Sequence, residues 1–248
     1  MILRTILFGL AAEAAEILGG GLIYLRKTWP RRVQETLLAL GAGFILALVF
    51  LKLVPASVGA LGETAMLYCL GGFATIHFFE HTIVGHLHFG EETHQDVMVS
   101  RVASLSAFSG LFIHAFFDGF TISIGMQFDF TIGILIFLGV LLHKFPEGLT
   151  IGSIVVAAGH SRKAVLLSSV GLAGATMAGV CTLFLFQSIG SGAIGAAFAF
   201  SAGIAVYVGA SDLIPEINKS KDRIPPLVVF AGMILFYVSD LILEKAVR

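Results

Sequence analysis

Charge is what this chain has least of. Asp, Glu, Lys and Arg make up 12% of its 248 residues, about half the roughly 25% of a soluble domain. Hydrophobic residues make up 57%, and the mean hydropathy is +0.95. Such a composition excludes an ordinary soluble domain and makes the bilayer the solvent. The net charge of −1 leaves no basic surface for nucleic acid. There are two cysteines, Cys69 and Cys181, each inside an apolar run. They are too few and too apolar in setting for a disulfide framework or a thiolate metal site, and they read as core residues.

Apolar runs long enough to cross a bilayer as helices predict eight spans, at about 5–25, 33–54, 62–80, 100–126, 131–158, 163–188, 191–213 and 225–243. The expected architecture is an all-α integral membrane protein, one transmembrane domain over 1–248 with a His-rich loop at 81–99. The first run holds Glu13 and Glu16 and ends on basic residues, so it reads as a span rather than a signal peptide. Ten basic residues fall on one side: Arg26, Lys27, Arg31, Arg32, Arg101, Arg162, Lys163, Lys219, Lys221 and Arg223. Positive residues favour the cytoplasm, so both termini are expected outside and the loop between spans 3 and 4 inside, in a multi-pass cell-membrane protein.

Spans 4 and 5 carry paired motifs, His114-Ala-Phe-Phe-Asp118-Gly119 and His143-Lys144-Phe-Pro146-Glu147-Gly148. Residues four apart share a helix face, so two such faces would gather two imidazoles and two carboxylates around one point. That ligand set suits a divalent transition metal. Charges at membrane depth cost about 2.5–3.5 kcal/mol each, and a helix-tying ion pair would not explain two histidines at the same offset from two acids. Pro146 removes one helical hydrogen bond beside these residues. A second similarity relates Gly41-Ala-Gly43 and Lys52-Leu-Val-Pro55 to Ser201-Ala-Gly203 and Asp212-Leu-Ile-Pro215, 160 residues on. With the predicted topology this reads as an inverted repeat of spans 1–3 and 6–8, a common transporter plan.

His-x-x-x-Asp-Gly in span 4 and His-Lys-x-Pro-Glu-Gly in span 5 resemble the Zrt-/Irt-like (ZIP) divalent metal transporters, of the prokaryotic type. Leu53-Val-Pro55, Asp212-Leu-Ile-Pro-Glu216 and the His-bearing loop are similar to the family pattern too. The resemblance implies a metal site of His114, Asp118, His143 and Glu147, moved by alternating access toward the cytoplasm. Zn²⁺ is the first expectation, and Fe²⁺, Mn²⁺, Co²⁺ and Cd²⁺ suit the same ligand types. Many members hold a second, adjacent metal. By resemblance its ligand positions read Ala115, Lys144 and Gly174 here, and a span-2 methionine position reads Ile45. One metal is expected, with the Lys144 ammonium standing in for the other and pairing with Asp118 or Glu147. The metal is cargo, and no cofactor is expected.

Five of the eight histidines lie between His77 and His94. Among them His86, His88 and His94, with Glu91, could hold metal in the cytoplasmic loop, or form a solvated polar loop. His77 and His81 could extend the pathway. Glu13 and Glu16 share a face of span 1, as helix–helix hydrogen-bonding groups, partners of Lys52 or the lining of a wet path. Asp212 and Glu216 read as a helix-end feature or part of an exit vestibule. A homodimer is compatible with this plan. The alternative class is an intramembrane zinc-dependent hydrolase, which needs an open coordination position and a general base; the His-Glu-x-x-His pattern is absent. A channel or metal sensor is the third reading.

Overall fold

Helix is the only backbone that satisfies its own hydrogen bonds within one apolar segment, and every regular element among the described residues is helical. The computed structural model describes residues 2–26, 30–83, 101–185, 190–220 and 222–247. In chain order the α-helices are α1 (Ile2–Arg26), α2 (Arg31–Leu48), α3 (Val54–Leu61), α4 (Ala65–Phe78) and α5 (Arg101–Phe128), then α6 (Phe130–Ala157), α7 (Arg162–Cys181), α8 (Ser191–Tyr207), α9 (Ile214–Asn218) and α10 (Ile224–Val247). Wider π-helical turns, Val49–Leu53 and Val208–Leu213, join α2 to α3 and α8 to α9, and a third, Phe79–Ile83, follows α4. The first two stand just ahead of Pro55 and Pro215. A proline ring crowds the carbonyl four residues back and offers it no N–H, and a wider turn accommodates that loss.

Seven helical stretches among the described residues are long and apolar enough to cross a membrane, and this is a multi-pass membrane protein. The difference from the expected eight lies in one stretch, Arg32–Thr82, which is 51 residues long and contains both the second and third predicted spans. It is interrupted at Gly62, whose φ of 64° ends α3 in the left-handed region open to glycine.

Only Asp129 separates α5 from α6. Its extended backbone breaks the helix, and its carboxylate accepts from the Ile132 N–H at 2.9 Å, capping α6. The two helices therefore pack along each other as a hairpin, with the paired motifs near their middles. α6 is the most enclosed element and α10 the least: 67% of the apolar stretch of α6 is buried against 22% for α10. Large apolar side chains on the outer faces of α1, α4, α7 and α10 are exposed, as a lipid-facing surface requires.

Packing around the hairpin repeats itself. α1 lies on α6 and α7 on α5, while α2 lies on α10 and α8 on α4. The closest backbone approaches keep the same register. Gly43 abuts the Val229 carbonyl and Gly203 the Cys69 carbonyl. Gly72 abuts the Phe200 carbonyl and Gly232 the Leu40 carbonyl. Each member of one contact lies 160 residues from its counterpart in the other.

Candidate metal centre

The glycine ending each motif explains how the site is assembled. A Cβ on Gly148 would overlap the Glu16 carbonyl of α1, and one on Gly119 would overlap the Thr176 carbonyl of α7. Only glycine lets those backbones come so close, which brings α1 and α7 against the chemistry-bearing turns of α6 and α5.

His114, Asp118, His143 and Glu147 come together and are all buried, with one ligand atom from each within 4.8 Å of the others. Asp118 is the hub. Its Oδ2 lies 3.1 Å from His143 Nε2, 3.4 Å from His114 Nε2 and 3.0 Å from Lys144 Nζ. His143 Nδ1 lies 2.9 Å from the Gly139 carbonyl oxygen. A carbonyl only accepts, so Nδ1 carries a proton and Nε2 is the nitrogen that faces the cluster as a ligand. A small cavity of about 20 Å³ reaches Asp118 and His143, walled by Ile45 of α2 and Ile204 of α8. Ile45 thus lines the cavity beside Asp118 and His143 and offers no ligand atom.

Lys144 is fully buried, and its ammonium donates to Glu147 Oε2 at 2.8 Å. It pairs with Asp118 and Glu147 together, and a third carboxylate, Glu16 of α1, stands 3.7 Å away. Glu16 is fully buried, and neither carboxylate oxygen has a hydrogen-bond partner among the described residues. Of the readings open for Glu13 and Glu16, the pairing of Glu16 with Lys52 is not what the structure shows: Lys52 pairs with Asp240 at 2.9 Å and Glu244 at 2.8 Å. Glu13 is only partly buried, with a buried Oε1 that makes no hydrogen bond among the described residues.

Two of the supposed second-metal positions sit differently from each other. Ala115 is buried in an apolar cluster with Leu111, Leu149 and Leu172. Gly174 is exposed with open space beside it, so it does not face the site; Thr176, two residues on, is the buried position behind Gly119. Asp212 is nearer the chemistry than a helix end implies. Carried inward on the π turn after α8, its Oδ2 stands 3.6 Å from His114 Nδ1. Glu216 pairs with Lys219 at 3.4 Å. His77 and His81 stack at 4.1 Å between ring centroids, and His81 Nδ1 lies 3.2 Å from the Tyr207 hydroxyl. His86, His88 and His94 lie outside the described residues.

Buried imidazoles and carboxylates gathered at the middle of a multi-pass helical protein define an intramembrane cluster fit for a metal ion. Residues 85–240 match the family model described as ZIP Zinc transporter, and the chain belongs to this family. It is similar to the zinc transporter zipt-7.1 of Caenorhabditis briggsae, with 30% identity over 138 residues that cover 53% of this chain and 35% of that protein. It is also similar to the zinc transporter SLC39A7 of Rattus norvegicus, with 28% identity over 151 residues, 58% of this chain and 32% of that one. The chain spans about a third of the length of these curated relatives. The family's description names transporters and gives the hydrolase alternative no support.

Proposed function

We propose that this chain carries divalent transition-metal ions, Zn²⁺ foremost, across the cell membrane toward the cytoplasm through one site made of His114, Asp118, His143 and Glu147. The observation that carries the reading is the converged, buried ligand set. Its charge supports it further. Asp118, Glu147 and Glu16 surround one ammonium, a formal excess of two negative charges, which one divalent cation neutralises. Uncompensated charge at this depth is costly, so the pocket favours an ion of that valence. Lys144 takes the place of a second metal.

Alternating access is the mechanism we assign, with the α5–α6 hairpin moving against a frame of two inverted repeats in a single domain. Paired backbone contacts at a constant offset of 160 residues support such repeats. In this reading the stretch 32–82 crosses twice, turning at Gly62, which makes eight crossings. The distribution of basic residues supports outward termini and a cytoplasmic loop, whose His86, His88 and His94 receive the released ion. The test is Zn²⁺ uptake into proteoliposomes. His143→Ala combined with Glu147→Ala should abolish saturable uptake, and unchanged uptake would refute the assignment.

A further inference from the structure

We propose that the groove where α5 begins and α6 gives way to α7 binds an anionic phospholipid, with its acyl chains in the groove and its phosphate at Arg162 and Lys163. The groove holds about 510 Å³, and its walls include Leu105 and Phe108 of α5, Val155 of α6 and Leu167 of α7. Leu105 and Leu167 are 65% and 71% exposed, so the groove opens toward the hydrocarbon and not into the bundle. Its polar lining comes from Ser104, His160 and Ser168.

The connection between α6 and α7 fixes the polar end. Gly159 takes a φ of 74°, its N–H donates to the Val156 carbonyl at 3.0 Å, and the His160 N–H reaches back to the Val155 carbonyl at 3.2 Å. That pair of bonds closes a helix through a left-handed glycine. The chain turns so sharply that Ser161 already caps α7, accepting from the Ala164 N–H at 3.3 Å. His160 Nε2 lies 3.0 Å from the hydroxyl of buried Ser104, which ties the turn to α5. Arg162 and Lys163 follow at once, both exposed.

Charge selects the occupant. Residues 101–117 and 148–211, which supply all the walls, contain no Asp or Glu. Neither Arg162 nor Lys163 makes an ion pair among the described residues. An apolar trough that ends on two unpaired cations matches an amphiphile with apolar tails and a negative head. Lys and Arg at the edge of a membrane span attract anionic lipid, whereas a zwitterionic lipid brings the same tails and no net charge. The three walls also belong to the helices that build the metal centre, since α5 and α6 carry its ligands and α7 lies behind Gly119. A lipid wedged between their ends braces that assembly.

The lipid that co-purifies with the full chain tests this, after equilibration in detergent micelles holding equal palmitoyl-oleoyl phosphatidylglycerol and phosphatidylcholine. Phosphatidylglycerol should be retained over phosphatidylcholine by about tenfold. Equal retention, or none, assigns the groove to another occupant and overturns the proposal. Arg162→Gln combined with Lys163→Gln should bring the ratio toward parity. Ala164 also lines the groove, and Ala164→Phe, which fills it, should lose both lipids. Retention unaltered by either change overturns the proposal. A measurement needing no substitution stands beside these. Raising the ionic strength to about 1 M screens exposed charges and should lower the parent's ratio severalfold; a ratio indifferent to salt overturns the phosphate's placement at Arg162 and Lys163.

Discussion

Lys144 Nζ lies 3.0 Å from Asp118 Oδ2, the oxygen that His143 Nε2 also meets, at 3.1 Å. An ion entering between the two histidines must therefore take that oxygen from the ammonium. Lys144 does not have far to go, because Glu16 waits 3.7 Å away with no hydrogen bond among the described residues. The site thus holds a resident cation with an alternative partner at hand, which lets the ligands be vacated without stranding a buried charge.

Lys144→Ala should make the metal-free protein less stable and the zinc-bound protein comparatively more so. Removing one partner of a buried ion pair costs about 3–5 kcal/mol, because the remaining charge is left uncompensated. Lys144 is fully buried, so solvent offers little relief. Zn²⁺ then meets no competing ammonium. Thermal unfolding in detergent should show a larger zinc-induced rise in Tm for the variant than for the parent. An equal rise would mean that Lys144 and the metal do not share ligands.

Glu16→Gln should weaken Zn²⁺ binding by about tenfold, equivalent to roughly 1.4 kcal/mol, with little change of fold. The amide has the carboxylate's shape and leaves the backbone carbonyl that packs against Gly148 in place, but it no longer attracts the displaced ammonium. Lys144 then holds Asp118 and Glu147 more firmly. Equilibrium dialysis against ⁶⁵Zn²⁺ measures the shift. Unaltered affinity would reduce Glu16 to a packing residue.

The clustering of the motif residues was legible in the sequence because i, i+4 spacing forces His114 with Asp118, and His143 with Glu147, onto common faces. Glu16 was not. It meets Lys144 only because α1 crosses α6 where Gly148 lets the backbones touch, and no periodicity encodes which distant helix fills such a gap. Gly174 was misplaced for a simpler reason. Each residue along an α-helix turns the side chain by about 100°, and a local pattern carries no such phase, so nothing in it told that Gly174 looks out of the bundle. Asp212 was left at a helix end because its position depends on the π turn, which alters the phase of everything after it. The interruption at Gly62 was legible as a boundary between apolar runs, but the positive φ that makes it had no separate signature.

Lys52→Met should loosen the tie between the turn after α2 and the end of α10. The pair is partly open to solvent, with Lys52 25% and Glu244 44% exposed in their side chains. Its contribution is therefore about 1 kcal/mol, well short of a buried pair. Salt should separate the cases. As ionic strength rises to about 1 M, where the Debye length is about 3 Å, the parent's Tm should fall toward that of the variant, which should itself move little. Parallel salt curves would assign Lys52 a packing role through its aliphatic stem.

Gly148→Ala and Gly21→Ala make the strongest paired test of how the site is built, since the same methyl is added to two helices that meet the centre. At Gly148 the new Cβ would run into the Glu16 carbonyl, and at Gly21 nothing stands within 4 Å. The first obstacle is backbone, so no side-chain rotation relieves it, and α1 must move away from α6. Overpacking of this kind costs about 1–3 kcal/mol. Alanine in the open helical position stabilises by about 0.5–1 kcal/mol. Gly148→Ala should therefore lower Tm and, by drawing Glu16 away from Lys144, weaken Zn²⁺ binding as Glu16→Gln does. Gly21→Ala should raise Tm slightly and leave Zn²⁺ binding unchanged. If both variants lost metal in the same measure, the motif glycine would be acting through helix flexibility, and the close approach of α1 would not be what completes the site.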